Sequence, residues 1–154
     1  MSYDYLWIRL RVKGGAYGCM SGFGMSGEGY FVSYRDPNLR ETNEVYNDVV
    51  SYLENFDIDE RDMTKYVIGA ISDMDTPLSS SAKGARGLSA YFSGVTQEML
   101  QKERDEVLSA TVEDVRALAK LVKAILDTGS LCVVGNASQI EGEKELFGTI
   151  ESLS

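Results

Sequence analysis

The chain contains no histidine, and that absence excludes more than any motif includes. Without an imidazole, neither a Ser-His-Asp nor a Cys-His arrangement can be assembled from its own residues, and no His-based zinc site can be completed. Cysteine is scarce as well. Cys19 and Cys132 are far apart, each in an apolar strand-like run where a buried free thiol is expected. Hydrolytic chemistry would need residues from another polypeptide or from a further part of this one. Cations are in the minority, 15 basic residues against 24 acidic for a formal charge of -9. That balance argues against nucleic acid and against an anionic membrane surface as partners. No apolar run approaches the ~20 residues of a membrane span. The opening Met1-Ser2-Tyr3-Asp4-Tyr5 lacks the basic and apolar regions of a signal peptide. A cytoplasmic location, or an organellar matrix in a eukaryote, is the plain expectation.

What the chain does have is enough length for a core. Its 154 residues fit one domain, expected over 1–154, with 44% hydrophobic and 25% charged residues. A chain of this size hides roughly 70% of the surface its unfolded form exposes. Repeats, linkers and low-complexity tracts are absent from the sequence.

Taken in order, Tyr5 to Lys13 is ambiguous. Leu6, Ile8, Leu10 and Val12 alternate with Trp7, Arg9, Arg11 and Lys13, which suggests a strand. The same residues read as the last turns of a helix, with cations near its end and Gly14 as the stop. Such an abrupt start suggests truncation within an element. Ala16 to Phe23 and Tyr30 to Arg35 read as strands joined by a glycine-rich hairpin, with Met20 and Met25 packing within it. Gly22, Gly24 and Gly27 spell GxGxxG, but a strand follows where a dinucleotide fold needs a helix, so the motif reads as a turn.

Asp36-Pro37 suggests a helix start, aspartate capping and proline first, with a stripe of Val45, Tyr46, Val49, Val50 and Leu53 to about Asn55. Asp59 caps a second helix that Pro77 and Ser79 to Ser81 break. Ser81 to Ser93 reads as a third, its Gly84 and Gly87 implying close packing. Thr96 caps the next, through about Ser109. Thr111, with Asp114 in the capping-box position, caps a helix carrying Val115, Leu118, Ala119, Val122, Ile125 and Leu126 on one face and closed by Gly129. Leu131 to Val134 suggests a short buried strand, and a final amphipathic helix would carry Ile140, Leu146, Phe147, Ile150 and Leu153. Strands segregated from helices indicate α+β, one antiparallel sheet covered by several helices. Three strands are few for such a sheet, which again suggests a fragment.

The stretch from Arg9 to Pro37 holds most of the unusual backbone chemistry. Leu6-Trp7-Ile8-Arg9-Leu10-Arg11-Val12-Lys13-Gly14-Gly15-Ala16-Tyr17-Gly18, followed by Tyr34-Arg35-Asp36-Pro37, resembles the C-terminal part of the insulinase-like (inverzincin) zinc peptidases, nearest their presequence-protease subgroup. The order of helices and the late Val133-Val134-Gly135 run agree, so the likeness covers essentially the whole chain. The resemblance implies the fourth of four homologous α+β domains, akin to those of the mitochondrial processing peptidases, arranged around a chamber. Zinc would be bound by a domain outside this chain, through an HxxEH helix that the sequence lacks. Alone, the fragment should be inactive. By position, the resemblance assigns Arg11 and Tyr17 to the catalytic pair that reaches the substrate across the chamber, with Gly14, Gly15 and Ala16 beside them in substrate binding. Unstructured peptides and the remaining domains of the same polypeptide are the implied partners. Other readings stand beside these. Arg11 also fits a helix-end cation, Tyr17 a packing residue, and Arg35 and Asp36 a strand end and a helix cap. A non-catalytic binding or scaffold subunit of the same fold is the alternative function.

Overall fold

A computed structural model of the chain describes residues 2–24 and 27–152. They form two compact units, one of residues 2–55 with 116–152 and the other of residues 56–115.

The first unit opens with a helix over Ser2–Lys13, wound at the wide π pitch. Its pattern is set by what it buries. Tyr5, Leu6 and Leu10 are sealed in the core, while Ile8 and Val12 face outward, so the alternating register of a strand is not used. A π segment of this length is uncommon, since π geometry mostly occurs as single turns inside α-helices. Two strands follow, β1 (Gly18–Phe23) and β2 (Gly29–Tyr34), paired antiparallel with Gly18 opposite Tyr34 and Phe23 opposite Gly29. Phe31 turns inward to stack on Tyr46, ring centres 5.5 Å apart. Tyr30, Val32 and Tyr34 alternate with it on the open face, where Met20 is also 55% exposed rather than packed in the hairpin. Met25, and Leu153 of the expected closing helix, lie outside the described residues.

Helices α1 (Arg40–Asn47) and α2 (Val49–Glu54) follow, with a break at Asp48. The first begins three residues after Pro37 because Asp36 is otherwise engaged. Its carboxylate accepts from the Asn38 N–H at 3.0 Å and from the Thr42 hydroxyl at 2.7 Å, closing a turn ahead of the helix rather than capping it directly. Tyr5 donates its hydroxyl to Val45 O at 3.1 Å and lies against the Tyr52 ring, fastening the opening helix to this pair. Val49 and Leu53 complete the core with Ala119 and Val122.

In the second unit, α3 (Glu60–Met74), α4 (Ser80–Ser93) and α5 (Gln97–Leu108) each start on a side-chain cap: Asp59, Ser79 and Thr96 accept from Asp62, Ala82 and Met99 N–H groups. Arg104 grips both carboxylate oxygens of Asp75, joining α5 to the end of α3. The expected close packing at Gly84 and Gly87 is not there; a Cβ at either would meet nothing within 4 Å. Thr111 and Asp114 exchange hydrogen bonds as a capping box at 2.8 and 3.2 Å.

That cap leads into α6 (Val112–Ala117), and α7 (Ala119–Leu126) follows after a break at Leu118, where one continuous helix was expected. Gly129, at φ +66°, terminates the run. The expected buried strand at Leu131 to Val134 does not form. No partner strand lies beside it among the described residues, and Val134 is 77% exposed. Cys132 is accordingly exposed rather than buried, while Cys19 on β1 is half-buried; both are free thiols. The closing helix is shorter than its pattern suggested: α8 (Ala137–Gly142) and one 3-10 turn at Lys144–Leu146, with Ile150 in irregular chain.

Candidate functional site

The exit from the opening helix builds the site. Three successive N–H groups turn back on it: Gly14 donates to Arg9 O, Gly15 to Arg11 O and Ala16 to Leu10 O, at 3.0 to 3.1 Å. Gly15 sits at φ +81°, where glycine bears no steric penalty. Gly14 is required for a different reason, since a Cβ there would lie 2.7 Å from Leu10 O. The bend is held from outside by Asn38, whose side-chain amide donates to Gly14 O at 2.7 Å. Pro37 packs near Gly15, and its carbonyl accepts from the Gln139 amide. The Gly14-Gly15 and Asp36-Pro37 segments, separated by the hairpin in sequence, are therefore one structural unit.

Beyond the bend Ala16 drops into the core, 3% exposed, and Tyr17 comes out, 61% exposed. Arg11, in the last turn of the helix, is also exposed. Its guanidinium carbon lies 4.2 Å from the Trp7 ring centre and 5.7 Å from that of Tyr17. The structure thus brings Arg11 and Tyr17 together on one open face. Gly14, Gly15 and Ala16 form the connector between them, their N–H groups consumed in closing the helix. The sequence favours a strand-end role for Arg35 over a site role, yet its guanidinium also faces Tyr17, at 5.6 Å, and Tyr34, at 5.3 Å. The signal was in the hairpin register. Pairing Gly18 with Tyr34 sets Tyr17 beside Arg35. Among the described residues no carboxylate pairs with Arg11 or Arg35. Nearby, burial pushes the Cys19 thiol up from its ordinary value, with the Arg11 charge opposing.

A sequence model of the PreP C-terminal domain matches residues 1–139. The chain belongs to the PreP C-terminal domain family. Among its relatives, Protein HypA of Clostridium perfringens is 46% identical over 153 residues, 99% of this chain and 16% of that protein. Presequence protease 1, chloroplastic/mitochondrial, of Arabidopsis thaliana is 37% identical over 92% of this chain and 13% of its own length. The mitochondrial presequence protease of Aspergillus fumigatus is 32% identical over 88% of this chain and 12% of its own. The chain therefore spans at most 16% of the length of these three relatives. The likeness to the presequence-protease subgroup, first drawn from the Gly14-Gly15 and Tyr34 to Pro37 segments, holds along the chain.

The zinc that the family resemblance implies does not fit the donors of this PreP C-terminal domain. It has no histidine, and among the described residues no three Cys, Asp or Glu side chains cluster to hold an ion. No helix among the described residues is long and apolar enough to cross a membrane.

Proposed function

We propose that this chain is the substrate-binding C-terminal domain of a zinc metalloendopeptidase that degrades short unstructured peptides. In this reading it walls part of a chamber completed by other domains of the same polypeptide, in the cytoplasm or an organellar matrix, and the zinc ligands lie in one of those domains. Arg11 and Tyr17 are the residues that touch substrate. The observation that carries the reading is their shared exposed face, a phenol and a guanidinium 5.7 Å apart with no carboxylate competing for the guanidinium among the described residues.

The chemistry suits a peptide carbonyl under attack. As the carbonyl oxygen gains negative charge, the Tyr17 O–H and an Arg11 N–H donate to it or to a neighbouring carbonyl. Such donors are more valuable in the transition state than in the ground state, and losing one typically costs about 3 kcal/mol. The Gly14–Ala16 connector fixes the two relative to each other before substrate arrives. An open edge of the two-stranded sheet offers backbone groups to an extended peptide.

The test is peptidase assay of the intact polypeptide with an internally quenched unstructured peptide. Cleavage that a chelator abolishes, and none by this chain alone, is the expected result. An intact polypeptide that binds such peptides without cleaving them would establish the scaffold alternative instead.

A further inference from the structure

Arg35 is the single non-glycine residue with positive φ among those described, at +48°. Side chains rarely occupy that region, and such outliers concentrate at functional sites. The cause is a bulge at the end of the hairpin. The Tyr17 N–H is shared between Tyr34 O at 3.1 Å and Arg35 O at 3.3 Å, so two residues of the returning strand face one of the outgoing strand.

In an unbroken strand, Tyr34 and Arg35 would point to opposite faces. Here the bulge re-aims Arg35, and its guanidinium reaches the rings of both Tyr34 and Tyr17. Tyr17 thus has three neighbours while remaining 61% exposed. Arg11 and Arg35 approach its ring at 5.7 and 5.6 Å, and the Tyr34 ring meets it edge-on at 5.9 Å and 82°. The neighbouring Asp36 turns its two oxygens to the Asn38 N–H and the Thr42 hydroxyl.

We propose that Arg35 is a positioning residue, which the bulge aims at Tyr17 so that the exposed phenol is fixed in the direction from which it donates to substrate. This rests on the reading that Tyr17 touches the substrate. An exposed tyrosine otherwise samples several rotamers, and a misplacement of ~1 Å at a reacting centre lowers rate by ~100-fold.

The experiment compares Arg35→Gly, Arg35→Lys and Tyr17→Phe in the intact polypeptide, cleaving an internally quenched unstructured peptide. Glycine suits positive φ, so Arg35→Gly keeps the bulge and leaves Tm unchanged or higher. The expected outcome is a ~10-fold fall in kcat with KM within about 2-fold. Arg35→Lys, which retains a cation at the ring, should recover most of the kcat. In a Tyr17→Phe background, Arg35→Gly should have no further effect, since no hydroxyl remains to be aimed. Normal turnover in Arg35→Gly alongside impaired Tyr17→Phe overturns this proposal alone. Normal turnover in Tyr17→Phe overturns the reading beneath it. A fall in both Tm and kcat that lysine does not rescue, or an equal loss in both backgrounds, assigns Arg35 a structural role and overturns the proposal.

Discussion

The guanidinium of Arg11 lies 4.2 Å from the ring centre of Trp7, one turn earlier on the same helix. An indole face is the best aromatic surface for a cation, and at an exposed site the contact is worth about 0.5 to 1 kcal/mol. Trp7 is thus a second aromatic neighbour of Arg11 beside Tyr17, and the contact limits how far its long side chain wanders.

Replacing Trp7 by alanine should reduce kcat/KM of the intact polypeptide by about 3-fold, a smaller loss than Arg11→Ala gives. Steady-state kinetics of the two variants checks this. Equal losses would mean that Trp7 does more than support the guanidinium.

Much of this arrangement was legible in the residues before any coordinates. Short-range chemistry carried furthest: Asp59, Thr96 and the Thr111/Asp114 box start their helices where their side chains foretold. The hairpin followed from glycines between two β-rich runs. What the residues could not settle depended on partners distant in sequence. Leu6, Ile8, Leu10 and Val12 fit a strand by alternation, but burial of Leu6 and Leu10 with Tyr5 decides for a wide helix. Leu131 to Val134 has strand-like composition and no neighbour to pair with among the described residues. Arg35 reads from the sequence chiefly as a strand end, because alternation along a strand does not foretell its positive φ.

The two helix-interior glycines of α4 give a stability prediction. With nothing within 4 Å of either ideal Cβ, Gly84→Ala and Gly87→Ala should each stabilise this chain by about 0.5 to 1 kcal/mol. Chemical denaturation reads the change directly. Destabilisation by either would show that a close approach occupies that face.

Alkaline pH should weaken the first unit through Tyr46. Burial, with the Asp36 charge adding to it, pushes this phenol up to about 12 from an ordinary value of 10.0. Tyr5 and Tyr52 shift the same way, again chiefly through burial. The unfolded chain therefore releases these protons first. The stability they contribute is fully present below about pH 10 and declines as pH rises towards 12. Tyr46→Phe retains the ring stacked on Phe31 and removes its part of the decline. Thermal melts from neutral to alkaline pH compare the two proteins; parallel curves would contradict the assignment.

The most direct measurement is turnover of an unstructured peptide by the intact polypeptide carrying Tyr17→Phe or Arg11→Ala, with circular dichroism confirming an unchanged fold. The account predicts a fall in kcat of about 100-fold or more for each. Turnover within about 2-fold of the unsubstituted protein in both would contradict it, because a donor to the developing oxyanion cannot be removed at so small an effect.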